Sequence, residues 1–244
     1  MVIYHFVIKL HLMKKILLIA LMLIAVQFSL SAQTLNKLTA TEKEEGYKLL
    51  FNGENTDGWH AYNKEDAGAW RVNDGIIQLD THANGQGDLV TDKQYENFEL
   101  KLDWRIPEGG NSGIIFPVHE DTTYAYTFLT GMEMQILDDK NAEDNKKTNH
   151  LAGSLYDMIA PAFPAKPFGE WNSVIIRKLN GHITFWLNEK KVVDIQMDSP
   201  EWKELIQKSK FKSWKAFATY PKGHIALQDH GAAVAFRNIR IKQL

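Results

Sequence analysis

The stretch Asn97-Phe98-Glu99-Leu100-Lys101-Leu102-Asp103-Trp104-Arg105-Ile106 decides the fold. Phe98, Leu100, Leu102, Trp104 and Ile106 fall on one side of an extended chain, and Glu99, Lys101, Asp103 and Arg105 on the other. Side chains alternate between the faces of a strand, so this segment is a strand with one face in a core. Outward from it, strand patterns run over 70–79 (broken by the turn Asn73-Asp74-Gly75), 112–118, 132–137, 172–179, 182–187, 191–196, 224–228 and 233–242. Asn180-Gly181 joins two of them as a type I′ hairpin turn. Only 200–209 carries a helical stripe, with Trp202, Leu205 and Ile206 on one face. Many short strands between turn signals, over about 200 residues, predict one all-β sandwich or jelly roll.

Composition narrows the function. Hydrophobic residues make up 44% of the chain and charged residues 24%, the mix of a globular domain with a large core. The formal charge is −2 and no basic tract occurs, so the sequence predicts no nucleic-acid partner. There is no cysteine, which excludes disulfides, thiolate zinc sites, cysteine nucleophiles and a lipoprotein anchor. His-Glu-x-x-His, Gly-x-Ser-x-Gly and the dinucleotide fingerprint are also missing.

Met13-Lys14-Lys15, an apolar run from Ile16 to Val26 and a small-residue end at Ser29, Ser31 and Ala32 describe a secretory signal peptide. The run is shorter than the roughly 20 residues of a membrane span. The expectation is a true start at Met13, cleavage after Ser31 or Ala32, a linker over 33–45 and a single domain over 46–244. Removing residues 1–32 deletes three lysines and no acid, taking the charge from −2 to −5. A mildly acidic, cysteine-free exported chain suits a bacterial periplasm or cell surface, with no membrane span after signal removal.

Four polar clusters punctuate the strands. In Gly131-Met132-Glu133-Met134-Gln135-Ile136-Leu137-Asp138-Asp139, Glu133 and Gln135 share one strand face. Asp138 joins them only if a bulge intervenes near Ile136-Leu137. Paired carboxylates are what attack at a sugar carbon needs. Gly109-Gly110-Asn111-Ser112-Gly113 makes a turn that can present the Asn111 amide to a ligand, or a plain hairpin. The run from Asp139 to Lys166 is long for a loop and holds His150, Tyr156 and Lys166, each able to transfer a proton. Gln228-Asp229-His230-Gly231 ends a late strand, where Asp229 can orient the His230 imidazole. Period-two alternation in both segments also predicts that Arg105 shares the Glu133 groove.

These residues carry a resemblance. Gly46-Tyr47-Lys48-Leu49-Leu50-Phe51-Asn52-Gly53 with Gly58-Trp59, then Asn111-Ser112-Gly113-Ile114, Glu133 to Asp138, Gly169-Glu170-Trp171-Asn172 and Leu227 to Gly231 come in one order. Together they resemble the 3-keto-disaccharide hydrolase domain family over nearly all of the chain beyond Glu44. The resemblance implies a concanavalin/laminarinase-like jelly roll and cleavage of glycosides whose glucosyl unit carries a C3 ketone. That ketone acidifies the C2 proton, so the reaction needs a base, a group that steadies the enolate and an acid for the leaving group. On this reading Glu133, Asp229 and His230 supply the proton transfers. Arg105, Gln135 or a bound divalent metal ion steadies the enolate, although no ligand spacing demands a metal. Asn111, Asp138, Tyr156, Lys166 and Gln228 are expected to bind the carbohydrate. Gln135 also stands where a laminarinase-like triad would have its middle acid, which departs from a standard retaining mechanism. A conventional glucan glycosidase and a non-catalytic carbohydrate-binding sandwich remain as alternatives.

Overall fold

The computed structural model describes residues 35–244, so the predicted signal segment lies outside the described residues. In chain order the strands are β1 (Lys48–Leu49), β2 (Trp59–Ala61), β3 (Trp70–Asn73), β4 (Ile76–Leu79), β5 (Leu89–Thr91), β6 (Phe98–Arg105) and β7 (Asn111–Val118). After them come β8 (Met132–Leu137), β9 (Asn172–Leu179), β10 (His182–Leu187), β11 (Lys190–Gln196), β12 (His224–Leu227) and β13 (Ala235–Gln243). Among the described residues the α-helices are α1 (Ala40–Glu44) and α2 (Pro200–Lys208).

The strands form two antiparallel sheets. One runs β11-β10-β9-β6-β13-β4-β3, with β1 added beside β13, and the other runs β2-β5-β12-β7-β8. In β6 the apolar set Phe98, Leu100, Leu102 and Trp104 is fully buried between the sheets, as its alternation requires. Phe116 on β7 meets Phe98 at 5.6 Å and Phe185 of β10 at 5.9 Å, both edge to face, and so ties the sheets together. Each such buried ring contributes about 2–3 kcal/mol by leaving water.

The turns follow their residues. Asn180 and Gly181 take φ of 50° and 77°, the left-handed pair that a type I′ turn needs. Ser199 accepts a hydrogen bond from the Trp202 N–H at 3.0 Å and caps α2, with Pro200 opening the helix. Within the expected 33–45 linker, the described residues 35–45 make contacts with β13. Thr39 and Glu42 form a capping box around α1. Glu42 pairs with Arg240 of β13, and Asn36 exchanges two 2.8 Å hydrogen bonds with Asn238. Among the described residues no helix is long and apolar enough to cross a membrane.

For the site, one feature of the topology matters most. Among the described residues β8 is the edge of the five-stranded sheet, with β7 as its only strand neighbour there.

Candidate active site

Met132, Met134 and Ile136 of β8 point into the core, which sends Glu133 and Gln135 to the outer face of the five-stranded sheet. The free edge of β8 is not left open. Gln135 N–H donates to the Ser154 carbonyl at 3.1 Å, Gly153 N–H to the Gln135 carbonyl at 2.8 Å, and Tyr156 N–H to the Glu133 carbonyl at 3.0 Å. The long loop after β8 thus pairs with the edge it covers, which buries Glu133 and sets Tyr156 beside it.

That loop is braced by charge. His150 sits between Asp144, 2.7 Å from Nδ1, and Asp157, 2.8 Å from Nε2. Tyr156 donates its hydroxyl to Asp144 at 2.8 Å. The second Asp157 oxygen accepts the Lys210 N–H at 2.8 Å, anchoring the segment just after α2. The Lys210 side chain then reaches over the Tyr156 ring, with Nζ 4.2 Å from its centroid, and lies near Phe211 and Trp214 at 5.4 and 5.6 Å. Among the described residues no carboxylate lies close enough to Lys210 to form an ion pair.

These groups enclose a cleft of about 130 Å³ whose lining includes Glu133, Gln135, Tyr156, Lys210, Gln228 and His230. Burial pushes the Glu133 carboxyl up to about 8, although the Lys210 ammonium pulls the other way. At neutral pH Glu133 therefore carries its proton. Partial burial lowers the Lys210 pKa, opposed by Glu133, Asp157 and Asp144. Burial and the bond to Asp144 raise Tyr156, which keeps its hydroxyl proton. The Gln135 amide, oriented so that its nitrogen faces acceptors, donates to Glu133 Oε1 at 2.9 Å and to the Ser112 carbonyl at 3.1 Å. Gln228 lines the cleft, and its Oε1 is buried with no hydrogen-bond partner.

Gly113 makes room for the acid. It faces Gln135 across the β7–β8 ladder, and a Cβ there would stand 2.1 Å from Glu133 Oε1. No residue larger than glycine fits without displacing the carboxyl.

The arrangement has relatives. A family model described as a 3-keto-alpha-glucoside-1,2-lyase-like domain matches residues 46–242. A Bacteroides thetaiotaomicron protein named 3-keto-disaccharide hydrolase is 35% identical, over 88% of this chain and 84% of its own length. The chain belongs to the 3-keto-α-glucoside-1,2-lyase-like family. Two solved Parabacteroides distasonis proteins, named as candidate glycosyl hydrolases, share this family's build. The first is 36% identical with a TM-score of 0.81, covering 86% of this chain and all of its own. The second is 33% identical with a TM-score of 0.64, covering 81% and 99%. A Bacillus subtilis protein of galectin-like fold, at 13% identity and a TM-score of 0.50, shows the sandwich architecture alone.

In this lyase-like family member the structure sorts the residues singled out from sequence. Glu133, Gln135, Asn111, Tyr156, Gln228 and His230 all line the cleft. Arg105 does not. It lies on the outward face of the eight-stranded sheet, 4.8 Å from the Trp171 ring, so the sandwich separates it from Glu133. Period two gives a residue's face but not which sheet its strand joins. Asp138 is also elsewhere, because the β7–β8 register runs unbroken from Met132 to Leu137 and no bulge swings it round. Its carboxylate accepts the Gly109 N–H and the Asn141 amide, each at 2.8 Å, and so holds the turn before β7. Lys166 is exposed, and its ammonium donates to the Trp171 carbonyl at 3.1 Å.

The expected Asp229–His230 pair is not formed. The Asp229 carboxylate accepts the Gly87 N–H at 2.8 Å and the Gly231 N–H at 3.0 Å. Asp229 therefore holds the shape of the loop that sets His230 at the cleft rim. Sequence reasoning misses Lys210 and Asp144. The one signal for Lys210 is its place among Phe211 and Trp214, which alone reads as a helix end. Among the described residues no group of three or more His, Asp and Glu side chains is placed to hold a metal ion.

Proposed function

We propose that this chain cleaves the glycosidic bond of 3-keto-glucosides by removing the C2 proton, expelling the C1 substituent and adding water. Its family makes it a glycoside-cleaving enzyme with a carbohydrate substrate. The observation that carries the finer reading is one cleft holding a protonated carboxyl, a fixed ammonium and an imidazole. His230 takes the C2 proton, and the C–H electron pair moves into the C2–C3 bond as the C3 carbonyl becomes an enolate oxygen. Lys210 stands in the role that Arg105 was expected to fill and stabilises that oxygen. The enolate then collapses and breaks the C1–O bond, while Glu133 gives its proton to the departing oxygen. Water adds at C1 of the unsaturated ketone, C2 is reprotonated, and the net result is hydrolysis. Tyr156 and Gln228, which line the cleft, orient the sugar.

The electron balance of this route needs no oxidant, since the ketone is already present in the substrate. Export fits the same reading, supported by the basic, apolar and small-residue pattern over residues 13–32. The test is aglycone release from a 3-keto-glucoside and from its parent glucoside, run in heavy water. Release from the oxidised substrate alone, with deuterium at C2 of the product, is expected. Equal release from the parent sugar would make it a conventional glycosidase, and binding without release would make it a lectin.

A further inference from the structure

A second groove of about 730 Å³ lies beside the cleft, walled in part by Asn63, Lys64, Gln86, Asp88, Tyr126 and Asp229. The two are lined by neighbouring residues. Asp229 and Gly231 line the groove while His230, between them in sequence, lines the cleft. Phe128 of the cleft stacks on Tyr126 of the groove, with centroids 5.0 Å apart and planes 7° apart. Tyr126 is 59% exposed, more than any other large apolar side chain among the described residues, so its second face is open. Asp88 braces the junction, accepting the Thr127 hydroxyl and, at 2.8 Å, the Asp229 N–H.

The cleft, at about 130 Å³, is small beside the 300–1,000 Å³ of ordinary small-molecule pockets, so a two-ring substrate must extend beyond it. The second ring therefore lies outside the cleft, and the adjoining groove is the larger space. A pyranose presents an apolar C–H face ringed by hydroxyls. The groove offers the complement, one aromatic face rimmed by amides and carboxylates. We propose that this groove is the leaving-group subsite and takes the second pyranose ring of a disaccharide substrate, with Tyr126 as its stacking platform. The proposal rests on the 3-keto-glycoside reading above.

The experiment compares wild type, Tyr126→Ala and Tyr126→Phe on a 3-keto-disaccharide, a methyl 3-keto-glucoside and a p-nitrophenyl 3-keto-glucoside. In Tyr126→Ala the ratio of kcat/KM for the disaccharide over the methyl glucoside should fall about tenfold, through KM. Tyr126→Phe keeps the ring and should restore the wild-type ratio. An unchanged ratio in Tyr126→Ala, or equal losses on both substrates, overturns the subsite while leaving the reaction intact. A loss confined to the p-nitrophenyl substrate overturns the assignment to a sugar ring. If wild type cleaves none of the three, the reading of the reaction falls first and takes the subsite with it.

Discussion

Replacing Glu133 with Gln isolates the consequence of burying that carboxyl. Glutamine matches the protonated acid in shape, keeps an oxygen for the Gln135 amide and cannot ionise. In the folded protein the Glu133 pKa lies at about 8, against 4.5 as its ordinary value, with desolvation as the main cause. Between those values the native state holds a proton that the unfolded chain has released. Stability therefore falls as pH rises, and the loss is complete only above the folded pKa. Each pH unit of that window is worth about 1.4 kcal/mol, which sets an upper limit of about 5 kcal/mol. Urea unfolding at pH 5 and pH 8 measures it directly. The wild type should lose stability relative to Glu133→Gln across this range, the variant being the more stable of the two at pH 8. The same variant should lose roughly 10²–10⁴-fold in kcat on a 3-keto-glucoside, since it has no proton to give the leaving group. Wild-type kcat/KM should decline above about pH 8, as the acid form disappears. Parallel stability curves for the two proteins would refute the reasoning, because Glu133 would then be ionised in the native state.

Gly113→Ala should cost roughly 10²-fold in kcat/KM, because its Cβ would stand 2.1 Å from Glu133 Oε1 and push the carboxyl aside; an unchanged circular dichroism spectrum would show that the loss is local. Lys210→Met should lower kcat by about 10²–10³-fold and move the alkaline limb of the pH–rate profile upward, since the ammonium now lowers the Glu133 pKa. Arg105→Ala should leave kcat/KM at the wild-type level, as its guanidinium stacks on Trp171 across the sandwich from the cleft; a large loss in steady-state assays would contradict that placement. Intact-mass analysis of an exported fraction should find a chain lacking residues 1–32, and a species beginning at Met1 or Met13 would count against the signal.

Alternation by itself determines the long strands. Phe98 to Arg105 and Met132 to Ile136 each alternate apolar and polar positions often enough to fix a face, and the Asn180-Gly181 turn fixes a hairpin. Strands β1, β2 and β5 hold only two or three residues, too few for a period to show, and they exist because longer neighbours pair with them. The face of Glu133 and Gln135 is legible for the same local reason, as are the turn residues Gln228 and His230. Which sheet each strand joins is not legible, because pairing partners are chosen by packing between distant segments. Arg105 and Glu133 have the same alternation and end on opposite outer faces of the sandwich. Lys210 enters the Glu133 cleft because Asp157 ties the segment after α2 to the loop covering β8. Burial of that loop against the sheet edge, a tertiary event, is what turns an ordinary glutamate into an acid that keeps its proton at neutral pH.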